Sequence, residues 1–597
     1  MNRSRNYYIL LVLVVAAVLR FWGIRHGYPF SYYPDEQHFI NRAVSFGSGD
    51  FNPHWFHKPA FLMYLLFFEY GLFYIIGKTL GYFSDVAAFA VYYFKNPWPF
   101  ILIGRMTVTL FGIATVYVTY RIGERFWSKR VGLYASLLLA LCYGHIFSGQ
   151  DVKADVPTAF FTVLSVYNLL SIVENDFQAK DYIRAGLFAG LGTATKYYPI
   201  ALLPCILAAS LYEMFRRKKL LVFRKYIYAL ISFWGIYFLS SPYNFLDPLG
   251  RKATFGQIVK MFNMISPYKL NLYAPFQGKE EVLATRYENH YLLKSVYNYI
   301  HVLFSQEGAG IVIAVIFILG LIYMFAKLSI KNSILLSFPV IFSVISIITS
   351  PSYTEVRHQL IIYPFLSIAG AFALSQFFKK LDNQRSASLL LTIALLFPLY
   401  HVVRNNILVS KTDTRSLARN WIEANIPAGT KLLLAEGAAV LRMNRGNIQE
   451  FYEKAKRRQG EDGQFTKHLV RYYDLKMQSA EGITYDIKEI RFPWWRGKEI
   501  VSGETIADTE YDRDMANPLK TVGVNDYGYY VGQGYRYAVT SSDHYESFVD
   551  GDNHRLKGFP SFRKFYHDLF TKGKLVKEFN ADELNLPGPT VKVIQLK

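Results

Sequence analysis

The sequence predicts a polytopic α-helical membrane protein that carries a soluble α/β domain at its C-terminal end. Three observations predict it. The 597-residue chain is 52% hydrophobic and 17% aromatic, and its apolar residues cluster in stretches of about 20, long enough to cross ~30 Å of hydrocarbon. The short loops between stretches are rich in Lys and Arg. Beyond residue 404 the stretches cease and a polar, mixed sequence follows.

Residues 8–24, 100–120, 131–147, 157–173, 197–214, 226–241, 309–326, 333–350, 359–377 and 387–404 read as spans. Residues 185–214 read as two helices broken around "GTATKYY" (192–198), because a lysine in mid-stretch is costly in lipid. The helix before the break brings the total to about eleven spans. No small-residue cleavage site follows the first stretch, which therefore reads as a span and not as a signal peptide.

Arg3 and Arg5, "RIGERFWSKR" (121–130), "FRRKKLLVFRKY" (215–226), "KLSIKN" (327–332) and "FFKKLDNQR" (377–385) supply the basic loops. They place the N-terminus and these loops in the cytoplasm. They also account for much of the net charge of +21 without nucleic acid, for which no motif is present. The segment 60–96, rich in Phe and Tyr with Glu69 in its middle, is expected to lie along the outer surface as interfacial helices. The alternative is a pair of crossing spans. Cys142 and Cys205 fall inside apolar stretches and read as small core residues.

The membrane part is thus expected over 1–404 and the soluble domain over 405–597. In the latter, "TRSLARNWIEANIPAGTKLLLAEG" reads as an amphipathic helix, a Pro-Gly turn and a buried strand. "YRYAVTSS" (535–542) and "TVKVIQLK" (590–597) read as further strands. "RFPWWRG" (491–497) is a candidate sugar-stacking platform or an ordinary domain contact.

The outer loops alternate acids and cations next to the membrane. Asp35 and Glu36 lie in the first, in "SYYPDEQHF", with His54, His57 and Lys58 further along in "PHWFHKPAF". Asp151, Lys153 and Asp155 lie in the second, Lys196 at the helix break, and Arg357 with His358 in "SPSYTEVRHQ" (350–359). This composition suits an anionic lipid head group, with carboxylates available to activate a nucleophile. Each residue has a plainer reading. Asp35 would cap a helix beginning near Gln37, and Lys58 would snorkel to phospholipid. Arg357 and His358 would anchor a span, Lys196 would fill the break or pair with a carboxylate, and Asp151 would be a solvated loop acid. His54 and His57 would need a further ligand to hold a metal.

In their order, "PDEQHF" (34–39), "HKPAFLMYLL" (57–66), "DVKADVPTAFF" (151–161), "GLGTATKYYPI" (190–200), "SPYNFLDP" (241–248) and "EVRHQLIIYPFL" (355–366) resemble membrane glycosyltransferases of the GT-C fold. These are the relatives of dolichyl-phosphate-mannose protein mannosyltransferases and of the bacterial aminoarabinose transferases. The resemblance implies transfer of a sugar from a polyprenyl-phosphate donor to a protein, lipid or glycan acceptor on the outer face, with inversion. It implies Asp35 as general base, Glu36 orienting it or meeting the acceptor, and Asp155 at the sugar, the acceptor or a metal. Lys58, Arg357 and Lys196 are then the donor-phosphate cations. Some relatives hold a divalent ion, for which His57 and Asp155 are the candidate ligands, although "HKPA" departs from the commoner pattern. A plasma (inner) membrane location follows. The rival readings are a transporter or flippase, whose charges would lie mid-membrane with repeat symmetry, and a non-catalytic assembly protein.

Overall fold

The computed structural model describes residues 7–265, 291–349, 355–380, 384–462, 464–490, 524–549 and 560–597. "RFPWWRG" (491–497) lies outside them. The described chain divides into two compact units. The first comprises Met1–Ile24, Phe51–Phe68 and Ile103–Asn406, and the second Arg25–Asp50, Glu69–Leu102 and Ile407–Lys597.

Among the described residues eight helices are long and apolar enough to cross a membrane, and the chain is a multi-pass membrane protein. Tyr7–Trp22 and Ile311–Ala326 are apolar helices of 16 residues. The span expected over 131–147 is two helices, Lys129–Leu141 and Tyr143–Ser148, interrupted at Cys142. Residues 60–96 form Phe61–Thr79, which meets the requirements of a span, and Val86–Lys95, which at 10 residues is too short for one. The first helix thus has the length and hydropathy that either reading of this segment, interfacial or spanning, allows.

The core of the first unit is built by close helix packing. Helix Ala179–Thr195 packs on Arg224–Ser240 and on Asp155–Glu174. Its stripe "GLFAG" (186–190) makes this possible. A Cβ at Gly186 would lie 2.2 Å from the backbone oxygen of Ala229, and one at Gly190 2.5 Å from that of Phe233. Apolar side chains gain little from leaving lipid for another helix, so close backbone approach between small residues supplies the association.

The second unit contains a five-stranded sheet in the order β2-β1-β3-β5-β4. Its strands are β1 (Lys431–Ala435), β2 (Asp486–Ile490), β3 (Tyr537–Ser541), β4 (Lys574–Phe579) and β5 (Val591–Gln595). β1 runs parallel to β2 and β3, and β5 antiparallel to β3 and β4. Helix Thr414–Asn425, N-capped by the Asp413 carboxylate, leads into β1 as its sequence predicts. This helix also seats the segment before Asp35. The Arg415 guanidinium lies 4.0 Å from the Tyr32 ring, the Arg419 guanidinium 4.6 Å from the Phe30 ring, and Tyr32 and Ser416 hydroxyls are 2.7 Å apart.

Gly186→Val should destabilise the protein by about 2–3 kcal/mol through overpacking. Gly235→Val, on the facing helix with open space around its Cβ, should change stability by less than ~1 kcal/mol. Thermal unfolding of both variants in one detergent checks the contrast, and equal Tm values would remove the packing role of the stripe.

Candidate active site

The site in the first unit is assembled from helix ends. The loop 149–154 enters helix Asp155–Glu174, so Asp155 takes its first helical position. A carboxylate there meets unpaired N–H groups and the positive end of the helix dipole. Helix Ala179–Thr195 stops at Lys196, an extended residue with φ −155° and ψ 139°. Pro199 lacks a donor and disfavours helical backbone before it, and the chain continues through a 3-10 turn, Tyr198–Ala201. A cation at a helix C-terminus is favoured for the converse reason.

The two ends meet. Lys196 Nζ donates to Asp155 Oδ1 at 2.5 Å, with both residues buried. The same ammonium lies 4.5 Å from the Tyr198 ring centroid. Burial works against the Lys196 charge, but the Asp155 carboxylate outweighs it and holds the pKa above the ordinary lysine value.

Lys58 and Arg357 are close enough to act on the same Asp155 carboxylate. Lys58 sits 5.8 Å from the Trp55 ring. Arg357 lies in the 3-10 turn Val356–His358, where Glu355 takes both its Nε and its Nη2, the latter at 3.0 Å. Three cations, Lys58, Lys196 and Arg357, therefore act on the one Asp155 carboxylate. Glu355, Tyr198 and Trp55 are additions that sequence reasoning missed. Glu355 was marked only by its place two residues before Arg357.

His358 belongs to the cluster as a neutral group. Burial, then the charges of Lys196 and Arg357, push its pKa down to about 4. Its Nδ1 accepts from the Glu355 backbone N–H at 3.3 Å, which leaves the ring proton on Nε2.

The other expected residues are placed as follows. Asp151 is no solvated acid: it pairs with Lys153 at 2.6 Å, and their side chains are 2% and 6% exposed. The turns of the loop bury both groups, and each would be costly there without the other. Asp35 and Glu36 lie in the second unit, in the first turn of helix Pro34–Ser45. That helix begins at Pro34 with Tyr33 as its cap, so Asp35 is not the capping residue. Glu36 is buried and accepts from the Ser31 hydroxyl, while Asp35 is partly exposed.

His57 is exposed, with its ring 5.4 Å from that of Trp55. Among the described residues no group of three or more His, Cys, Asp or Glu side chains gathers to hold a metal. The Asp155 carboxylate itself is paired with Lys196.

A family model described as dolichyl-phosphate-mannose-protein mannosyltransferase matches residues 101–240, a segment that includes Asp155 and Lys196. No curated protein matches the sequence. Among solved structures, the chain is similar to the Archaeoglobus fulgidus oligosaccharyltransferase tethered to an acceptor peptide with the NVT sequon. That match has a TM-score of 0.51 and 11% identity and covers 98% of this chain and 73% of the other. The same enzyme in complex with Zn and sulfate gives a TM-score of 0.50 and 13% identity, covering 97% and 74%. ArnT from Cupriavidus metallidurans bound to undecaprenyl phosphate gives 0.44 and 15%, covering 99% and 98%. The fold is GT-C, as the order of motifs predicts.

The unfolded His358 imidazole titrates near 6.5, the folded one near 4. Between these values the unfolded chain binds more protons, so the contribution is complete above pH 6.5 and is lost as pH falls towards 4. His358→Gln should flatten the stability profile across this window, by on the order of 2–3 kcal/mol. Denaturant unfolding from pH 4 to pH 7 checks it, and an unchanged slope would mean that the folded ring is solvated.

Proposed function

We propose that this protein is an integral-membrane glycosyltransferase that moves a sugar from a polyprenyl-phosphate donor to an acceptor on the extracytoplasmic face. The observation that carries the reading is the cluster of Lys58, Lys196 and Arg357 around Asp155. Lysine and arginine keep their charge at neutral pH, and a cluster of them suits a lipid phosphate whose negative charge grows as the glycosidic bond breaks. The segment matched by the mannosyltransferase family model contains one acid and one cation of this cluster. The proteins of similar fold include one whose structure holds undecaprenyl phosphate.

In this reading Lys58 and Arg357 bind the departing phosphate. Lys58 acts as a point charge with three donors, and Arg357 through the planar fork of its guanidinium. Lys196 keeps Asp155 ionised and placed at the phosphate-bearing sugar. Asp35, partly exposed in a helix first turn, takes the proton of the attacking nucleophile. The buried Glu36 fixes the start of that helix through Ser31. Attack opposite the phosphate inverts the anomeric carbon. The N-terminus and the basic loops face the cytoplasm, and the polar loops open to the other side.

The test uses the purified full chain in nanodiscs with radiolabelled polyprenyl-phosphate sugars, membrane extract as acceptor source, and release of polyprenyl phosphate as readout. Asp35→Asn should lower turnover at least ~100-fold. Lys58→Met and Arg357→Met should each lower kcat/KM for the donor by about 10- to 100-fold. Turnover by the wild type with equal turnover by Asp35→Asn would remove the base assignment. No turnover with any donor would remove the transferase reading.

A further inference from the structure

A cavity of about 250 Å³ is lined wholly by residues of the second unit. One wall is the helix Pro34–Ser45, which contributes Gln37 and Asn41, one turn apart on a single face. Asp35 precedes Gln37 by two residues and so points from a different side of the helix. A second wall is aromatic. Tyr93 donates to Asn41 Oδ1, and Tyr472 meets Phe94 edge to face at 5.1 Å.

The third wall is cationic. Lys95, Arg419, Arg442 and Lys476 all line the cavity, and no Asp or Glu does. Two of the four are already engaged outside the lining: Lys95 with Glu481 at 2.8 Å, and Arg419 with Glu423 at 2.9 Å. Arg442 donates one Nη to the Glu481 backbone oxygen at 2.8 Å, and its charge also acts on the Glu481 carboxylate, which Lys95 already holds. Lys476 stands 5.8 Å from the Tyr472 ring.

Aromatic rings, side-chain amides and cations together recognise a particular chemistry. Rings pack against the C–H faces of a pyranose, amides bond its hydroxyls in pairs, and arginine with lysine binds a carboxylate or sulfate substituent. The volume, somewhat below that of a drug-sized pocket, suits one or two sugar residues.

We propose that this cavity binds an anionic saccharide. It anchors the acceptor, so the inference rests on the transferase reading for its purpose though not for its geometry. The occupied subsite lies beyond the reacting hydroxyl, since Gln37 and Asn41 face the cavity and Asp35 does not share their face. Part of the acceptor's affinity then comes from residues of 440–480, which places a role in acceptor choice on the C-terminal region.

The experiment is calorimetric titration of the full chain in nanodiscs with tetragalacturonate, a heparin tetrasaccharide and maltotetraose. Tetragalacturonate or the heparin fragment should bind saturably at 0.15 M salt, and maltotetraose should not. The double variant Arg442→Gln/Lys476→Gln, confined to surface cations and so expected to fold, should bind the anionic tetramer at least tenfold more weakly. A thermal-unfolding midpoint equal to that of the wild type shows that the fold of the double variant is intact. Absence of binding by both anionic tetramers, equal binding of maltotetraose, or equal affinity in the double variant would overturn the proposal. Because the readout is binding, a failure of donor turnover would count against the transferase reading and leave the saccharide site judged on its own data.

Discussion

The arrangement of the first unit depends on one buried ion pair, Asp155 with Lys196. Removing both charges from water costs several kcal/mol per ion, and their mutual attraction alone is a doubtful return. The helix termini tip the balance. Asp155 stands at the first position of one helix and Lys196 directly after the last of another, so each meets the dipole end that favours its sign. Both helices must also be held in register for the contact at 2.5 Å. The glycine stripe at 186–190, which lets Arg224–Ser240 approach, provides that hold on the Lys196 side.

On the Asp155 side the hold is polar and long-range. Arg20 is fully buried within an apolar helix and donates to the backbone oxygens of Leu139 and Ala140, where helix Lys129–Leu141 ends. The Nη2 that bonds Leu139 also meets His145 Nδ1 at 3.0 Å. A charge in this position would be expensive facing lipid; here it bonds carbonyls of the last turn before the break at Cys142. Gln150 and Asn406 bond the Leu19 oxygen and each other, and Thr109 bonds that of Gly149. The short loop leading to Asp155 is thereby tied to three helices, and a loop so held delivers its carboxylate to one place.

These ties explain what the sequence could and could not disclose. The break at 192–198 was legible because Lys196 and Pro199 are local signals, and the helix-turn-strand at 414–435 because its periodicity is local too. The break at Cys142 carries no Gly or Pro at its own position, and its stabilising partner, Arg20, is more than a hundred residues away. Asp151 looked solvated because nothing nearby in sequence says that Lys153 turns inward with it. The start of the Asp35 helix was a different matter. Pro34 is a favoured first helical residue, and giving it weight would have placed Asp35 inside the first turn. The cation cluster was legible residue by residue; the pairings, including Glu355 with Arg357, needed the fold.

The chemistry of the cluster follows from which groups were chosen to carry its charge. Lysine and arginine do not titrate near neutrality, and His358, the one group present that ordinarily would, is held neutral by burial and by Lys196 and Arg357. The cationic character of the cluster therefore does not depend on His358. A metal would supply comparable charge, but it requires a set of anionic or neutral donors, and the Asp155 carboxylate is committed to Lys196. An ammonium and a guanidinium differ from a metal in a second respect: they release an oxyanion without ligand exchange. A site that must grip a lipid phosphate as its bond breaks and then let the carrier return to the bilayer is served by such contacts, strong at short range and readily replaced by water. The cost of keeping this charge beside hydrocarbon is met at the helix ends, so the structural device and the chemical one are the same pair of residues.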